Sequence, residues 1–307
     1  METNNRNHPR WIKQDKLDVP RYDRCINEAG NTPVYATSWF LTLMAGRWDV
    51  LVYGDFEYVM PVPNRRKWGI AYVYPPVFAQ YLGIFPAPPP EVRQEFYQAL
   101  AARFRYIQYQ TGDREEAKSA EGFTIKEHHT RILPLESDYP VLAKGYDDYI
   151  TQNLKKAFLN KVSVATETDP EVFFNLQKES KEIPVPAESW KRFRKLMEAT
   201  LPNGIGKLYC AKTLQGEILT AAFFLVWKNQ AYYMAVCNSR HGRDLRGGFA
   251  LLDRFISDHA GSNLLFDFEG SSVEGVDRFF AAFGSAKKPY FVLTLNRLPR
   301  MLRLIKK

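Results

Sequence analysis

Between residues 208 and 295 the sequence reads three strands, a helix, a strand, a helix and a strand, and few folds accept that order. Residues 208–212 and 218–227 are apolar, β-rich runs joined across a turn at Gly216, and 230–237 continues as a third run. Short connections of this kind make antiparallel neighbours. A helix at 246–259, a strand at 264–268, a helix at 276–283 and a strand at 290–295 follow. A strand–helix–strand crossover makes a parallel pair. The expectation is a mixed α/β sheet flanked by helices.

The first half repeats the mixture. Strands are expected at 11–17, 50–53, 57–61, 70–74, 106–109 and 123–133, and helices at 19–28, 38–44 and 91–104. Residues 64–68 read as a basic loop, and 111–122 as a charged, exposed connection. Three helices, at 146–163, 170–182 and 187–200, open the second half. With 307 residues, against roughly 100–200 per domain, two domains are expected, 1–137 and 138–307, each a mixed sheet with helices.

The formal net charge is +8. That suits an anionic partner such as a nucleotide cofactor, a nucleic acid or a membrane surface, and equally an ordinary basic protein, since the charges are dispersed. The densest basic region, Lys144, Lys155, Lys156, Lys161, Lys178, Lys181, Lys191, Arg192, Arg194 and Lys195, admits polyanion binding, such as tRNA, or a solvated helical face. Cys25, Cys210 and Cys237 lack CxxC spacing and are odd in number, which argues against a disulfide framework. No apolar run reaches the ~18 residues of a membrane helix, and residues 1–10 lack an apolar signal core. A cytoplasmic protein without membrane insertion is the expectation. His128 and His129 are adjacent on a strand and point to opposite faces, and the other histidines lack ligand spacing, so no metal is expected.

Chemistry concentrates between Tyr232 and Gly270. A strand ends in Asn238-Ser239-Arg240-His241-Gly242-Arg243-Asp244-Leu245-Arg246-Gly247-Gly248, and a helix opens at Phe249. A strand, a basic glycine loop and a helix N-terminus suit a phosphate or pyrophosphate. Asn238, Arg240, Arg243, Arg246, Gly247, Gly248 and Phe249 are the candidate cofactor residues, with the glycines allowing close backbone approach. A solvated arginine loop is the plainer alternative. Neither GxxxxGK[ST] nor GxGxxG is present. The next strand ends in Asp267-Phe268-Glu269. Alternation places both carboxyls on one side, where one could act as a general base. They could instead cap a turn and pair with an arginine. Ser271 and Ser272 read as helix caps. In the first half, the aromatic and prolyl stretch 72–85 suits a substrate cleft, with Tyr74 and Gln80 as candidate contacts.

Asp267-Phe268-Glu269-Gly270-Ser271, the run Gly275 to Gly284 (GVDRFFAAFG), Lys288-Pro289-Tyr290 and Asn153-Leu154-Lys155-Lys156-Ala157 together resemble the Fem-type, GNAT-like acyltransferases, in particular bacterial members of that group. The resemblance covers both halves. It implies tandem GNAT domains and direct attack of a substrate amine on an activated carbonyl. The donor would be an acyl-CoA or, in tRNA-dependent relatives, an aminoacyl-tRNA. The acceptor would be a small-molecule or peptide amine. On this reading Tyr232 or Tyr233 protonates the leaving group and Glu269 or Asp267 takes the amine proton. A non-catalytic binding protein on the same fold is the remaining alternative. One position departs from the family. Where its helix carries Phe-Lys, this sequence has Phe280 in place of the lysine, so the lysine's support of the acyl group is lost or passes to Arg278.

Overall fold

The structure is a computed structural model that describes residues 8–30, 32–180, 185–270 and 273–299. In chain order the elements are β1 (Arg10–Lys13), α1 (Val19–Glu28), α2 (Ser38–Met44), β2 (Trp48–Tyr53), β3 (Tyr58–Lys67), β4 (Ile70–Val73), α3 (Pro90–Arg103), β5 (Tyr106–Thr111), α4 (Arg114–Lys118) and β6 (Thr124–Pro134). Next come α5 (Tyr139–Lys144), α6 (Asp148–Leu159), β7 (Ser163–Glu167), α7 (Pro170–Glu179), α8 (Ala187–Thr200), β8 (Gly206–Lys212), β9 (Ile218–Trp227) and β10 (Gln230–Asn238). The chain closes with α9 (Arg240–Asp244), α10 (Gly247–His259), β11 (Leu265–Asp267), α11 (Glu274–Ala281) and β12 (Ala286–Asn296). Ser271, Ser272, Lys181 and Glu182 lie outside the described residues.

The chain forms two compact units. One holds the described residues of Met1–His128 and Pro289–Lys307, the other His129–Lys288. In the first, β1, β2, β3 and β4 pair antiparallel in sequence order, β4 meets β5 in parallel at Val73 and Ile107, and β12 closes the sheet antiparallel to β5. In the second, β7, β8, β9 and β10 pair antiparallel, β10 meets β11 in parallel, and β6 closes the sheet antiparallel to β11. The mixed α/β class expected from the sequence is what the structure has.

The two pairing orders are the same, and in each the closing strand comes from the other half of the sequence. The division therefore differs from an expected boundary at 137/138. Phe291–Asn296 bond to β5, and Ile132–Pro134 bond to β11. Strand partners over a hundred residues away leave no local mark in a sequence, so element order alone does not reveal this division.

Local readings changed in several places, among them the following. Residues 64–67 continue β3 rather than forming a basic loop. The helix expected at 146–163 ends at Leu159, and the unexpected edge strand β7 follows. The short helix α9 precedes α10. The connection 111–122 contains α4 and is not wholly exposed, because Glu116 is buried. Tyr97 Oη donates to Glu116 Oε1 at 2.6 Å and the Ile84 N–H to Oε2 at 3.1 Å. Burial still pushes this carboxyl up to about 7.

In the second unit the core is aromatic. Phe224 of β9 stacks on Phe255 of α10 with ring centroids 3.9 Å apart, and Phe266, Phe268, Phe280 and Tyr233 surround that stack. Arg131 of β6 forks onto Asp277 of α11 with both bonds at 2.8 Å, and His129 Nε2 lies 2.9 Å from the same carboxylate. The Arg131 bonds hold Asp277 well below the usual carboxylate range.

The pairing order makes a sharp prediction about fragments. A fragment of residues 129–288 keeps all six strands of its sheet and is expected to unfold cooperatively in urea. A fragment of 138–285 lacks β6, leaves β11 without its antiparallel partner, and is expected to lose that cooperativity.

Candidate active site

The parallel contact of β10 with β11 is short. Gln230, Ala231 and Tyr232 pair with Leu265, Phe266 and Asp267, and the register stops there, while β10 runs on to Asn238. Against β9, the β10 register shifts between Tyr233 and Ala235, so Met234 is the extra residue of a bulge. A bulge bends its strand and increases the local twist. Here it falls just past the last β11 pair, where β10 leaves its neighbour. Past Tyr232, β10 has no β11 partner, and this carboxyl end of the parallel pair is the position where ligands gather in open α/β sheets.

One side of the opening is the loop into α10, and β9 holds it. The Ser239 N–H donates to the Leu219 carbonyl at 3.0 Å, and Ser239 Oγ accepts from the Gly242 N–H at 2.8 Å to cap α9. A Cβ on Gly242 would sit 2.0 Å from Leu219 O, and one on Gly247 would sit 2.6 Å from Thr220 Oγ1. Thr220 Oγ1 donates to Asn238 Oδ1 at 2.9 Å. These glycines thus let the two helices rest on β9, whereas the sequence reading had assigned Gly247 to close approach of a ligand. Only Gly248 has room, its Cβ position being 3.5 Å from Asn238 Oδ1.

Arg246 takes a left-handed conformation, φ 69°, to start α10. Its Nη1 donates to the Arg243 carbonyl at 2.8 Å, so it braces the loop. Arg240 and Arg243 are exposed. The Phe249 and Ala250 N–H groups turn back to the Arg246 carbonyl. Those of Gly247 and Gly248 sit at the positive end of the helix dipole. Phe249 itself packs edge-on to Phe279 at 5.0 Å and to Tyr149 at 5.5 Å, a packing role in place of the expected cofactor contact.

The other side is the end of β11. Asp267 is 2% exposed. It accepts from the Thr130 hydroxyl and from the Glu269 N–H, the latter at 2.9 Å. Among the described residues no arginine pairs with Asp267, and Arg131 goes to Asp277. Glu269 is half-buried, and its backbone sits at φ 61°. A left-handed residue without glycine's freedom costs about 1–2 kcal/mol, and such strain gathers at functional sites. The strand ends at Asp267, so the alternation that placed the two carboxyls on one side does not reach Glu269. Burial pushes Glu269 up to about 8 and Asp267 up to about 6, with the charge of Lys288 pulling both down.

Other sequence candidates fall elsewhere. Tyr232 is fully buried, and its hydroxyl donates to Gln230 Oε1 at 2.6 Å. Tyr233 packs on Phe224 and edge-on to Phe280. Phe280 is a core residue against Phe268, and Arg278 is exposed with Glu274 3.8 Å away. Tyr74 and Gln80 belong to the other unit. The Arg65 guanidinium lies 5.5 Å from the Tyr74 ring centroid, and the buried Gln80 Oε1 has no hydrogen-bond partner among the described residues. The sequence reading missed Leu219, Thr220 and Thr130, which hold the loop ends, and the electrostatic role of Lys288. Among the described residues no three His, Cys, Asp or Glu side chains group as metal ligands.

Two measurements follow from this geometry. Gly242→Ala forces a Cβ onto a backbone carbonyl and is expected to cost about 1–3 kcal/mol in urea unfolding, whereas Gly248→Ala is expected to be neutral or slightly stabilising. The folded chain keeps the Glu269 proton up to about pH 8, while the unfolded chain releases it near 4.5. This group's contribution to stability therefore falls as pH rises across that window. Glu269→Gln is expected to flatten that part of the stability–pH curve.

No protein-family model matches the chain, and no curated protein matches it. Solved structures share its fold. FemX aligns over 97% of this chain and 100% of its own, with a TM-score of 0.68 at 12% identity. A structure titled L-PGS from Bacillus licheniformis aligns over 94% of each chain, with a TM-score of 0.57 at 12% identity. The C-terminal domain of a putative lysylphosphatidylglycerol synthetase from Agrobacterium fabrum aligns over 94% of this chain and 95% of its own, with a TM-score of 0.56 at 12% identity. The chain shares the fold of FemX, in keeping with the Fem-type resemblance of its motifs.

Proposed function

We propose that the protein is an N-acyltransferase that moves an acyl group from an acyl-CoA-like donor to an amine. The observation that carries this reading is the strained, half-buried Glu269 at the end of the opened β10–β11 pair, across from the α10 N-terminus. The donor's phosphates lie against the Gly247 and Gly248 N–H groups, with Arg240 and Arg243 beside them. The acyl carbonyl enters the opening. The acceptor nitrogen attacks the carbonyl carbon, the new C–N bond forms, and the C–S bond to the carrier breaks. Glu269, in its ionised form, takes the proton that the nitrogen loses. The carrier thiolate leaves and takes a proton from water. A carboxyl near 8 suits a base working close to neutral pH. Asp267 is a positioning residue, since it holds the Glu269 backbone. Lys288 replaces Arg278 as the cation that substitutes for the family's lysine. Cys25, Cys210 and Cys237 are buried and form no disulfide among the described residues, which suits the cytoplasm.

The second reading is an aminoacyl-tRNA donor. The likeness to FemX and to the lysylphosphatidylglycerol synthetase domain favours it, together with the net charge of +8. The chemistry at the acceptor is the same, with a C–O ester bond breaking.

Titration calorimetry with acetyl-CoA at low salt separates the readings. Saturable binding weakened at least about tenfold by Arg243→Ala supports the first, because a charged phosphate contact is worth about 1.5–3 kcal/mol. No CoA binding, with tRNA binding that falls steeply with salt, supports the second. In either case Glu269→Gln is expected to lower kcat about 10²–10⁴-fold and to abolish the rise of kcat/KM through pH 8. Unchanged turnover removes Glu269 from the mechanism.

A further inference from the structure

Helix α6 is polarised end to end. Asp147 caps its start and Asp148 follows. About 16 Å further along, at 1.5 Å per residue, it ends in Lys155-Lys156-Ala157-Phe158-Leu159-Asn160-Lys161. Ala157 is buried and holds the end down, while Phe158 and Leu159 are 82% and 75% exposed. Large apolar side chains side by side at such exposure need a partner. All three lysines are exposed, and no acidic residue lies between Lys155 and Ser163.

The turn that presents these residues is fixed. The Val162 N–H donates to the Ala157 carbonyl at 3.0 Å and the Lys161 N–H to the Phe158 carbonyl at 2.9 Å, closing the helix with Lys161 at φ 56°. That position favours glycine. A lysine there accepts strain and adds a positive charge next to the apolar tip. Beside the tip a groove of about 970 Å³ runs past Leu154, Val162 and Val164, with Asp253 and Arg254 of α10 also in its lining.

We propose that the α6–β7 tip is a peripheral docking site for an anionic phospholipid surface. Phe158 and Leu159 enter the headgroup layer while Lys155, Lys156 and Lys161 meet lipid phosphates. Apolar anchors ringed by lysines are the pattern of interfacial binding. Among the described residues no helix is long and apolar enough to cross a membrane, and this contact requires none. A second copy of the chain fits less well, because a two-fold contact would bring the lysines of both copies together. The site is separate from the β10–β11 opening and does not depend on the proposed transfer reaction.

The test is co-sedimentation with vesicles of equal parts phosphatidylglycerol and phosphatidylcholine, and of phosphatidylcholine alone. Binding to the anionic vesicles is expected to exceed that to the neutral ones at least fivefold. It is expected to fall at least fivefold in Phe158→Ser/Leu159→Ser and in Lys155→Ser/Lys156→Ser/Lys161→Ser, with the circular dichroism unchanged. Lys161→Gly is expected to raise Tm and still weaken vesicle binding, a combination that a purely structural lysine does not give. Absence of binding, equal binding to both vesicles, or undiminished binding by the serine variants overturns the proposal. So does a dimer in size exclusion that Phe158→Ser/Leu159→Ser dissolves, and so does tRNA binding that is lost in the lysine variant while vesicles remain unbound.

Discussion

The three-residue parallel register between β10 and β11 is the constraint on which the site depends. Were it longer, β10 and β11 would stay together, and the loops at their carboxyl ends would close over each other. The bulge at Met234 ends the partnership by turning β10, while antiparallel bonding to β9 carries β10 on to Asn238. The helix α10 then begins beside the opening, and Asp267 fixes where the β11 side ends. Each wall has its own anchor: Leu219 and Thr220 for the α10 loop, Thr130 for Asp267.

Burial gives this opening its chemistry. A carboxyl held near 8 is neutral over much of the physiological range, and in the proposed reaction it ionises where the acceptor amine would also lose its proton. The left-handed backbone of Glu269 is what an ordinary strand end would avoid. It persists because Asp267 accepts the Glu269 N–H and is itself held by Thr130. Strain at Glu269 is thus supported by a buried hydrogen-bonded carboxyl one residue removed, and removing either support would release it.

Much of this was legible in the sequence, for physical reasons. Hairpin-spaced apolar runs gave β8, β9 and β10, and the alternation of strand and helix after them gave α10 and α11. The site segments were legible because glycines, arginines and carboxylates interrupt apolar runs at the strand ends. What the sequence could not convey depended on distant partners. The closing strands β6 and β12 pair across the length of the chain. Gly247 read as a place of close ligand approach until its neighbour Thr220 was in place. Phe280 and Arg278 lie two apart on a helix, so they point in different directions, one to the core and one to solvent. Strand alternation misled at Glu269 because the strand stops two residues earlier.

The central claim is that an activated donor binds between the α10 N-terminus and Glu269. Backbone amide NMR on addition of CoA or aminoacylated tRNA tests it most directly. The account predicts that the Gly247 and Gly248 amide resonances move with one of these donors, with the Glu269 amide following. Saturable binding of both donors that leaves all three resonances in place would contradict it.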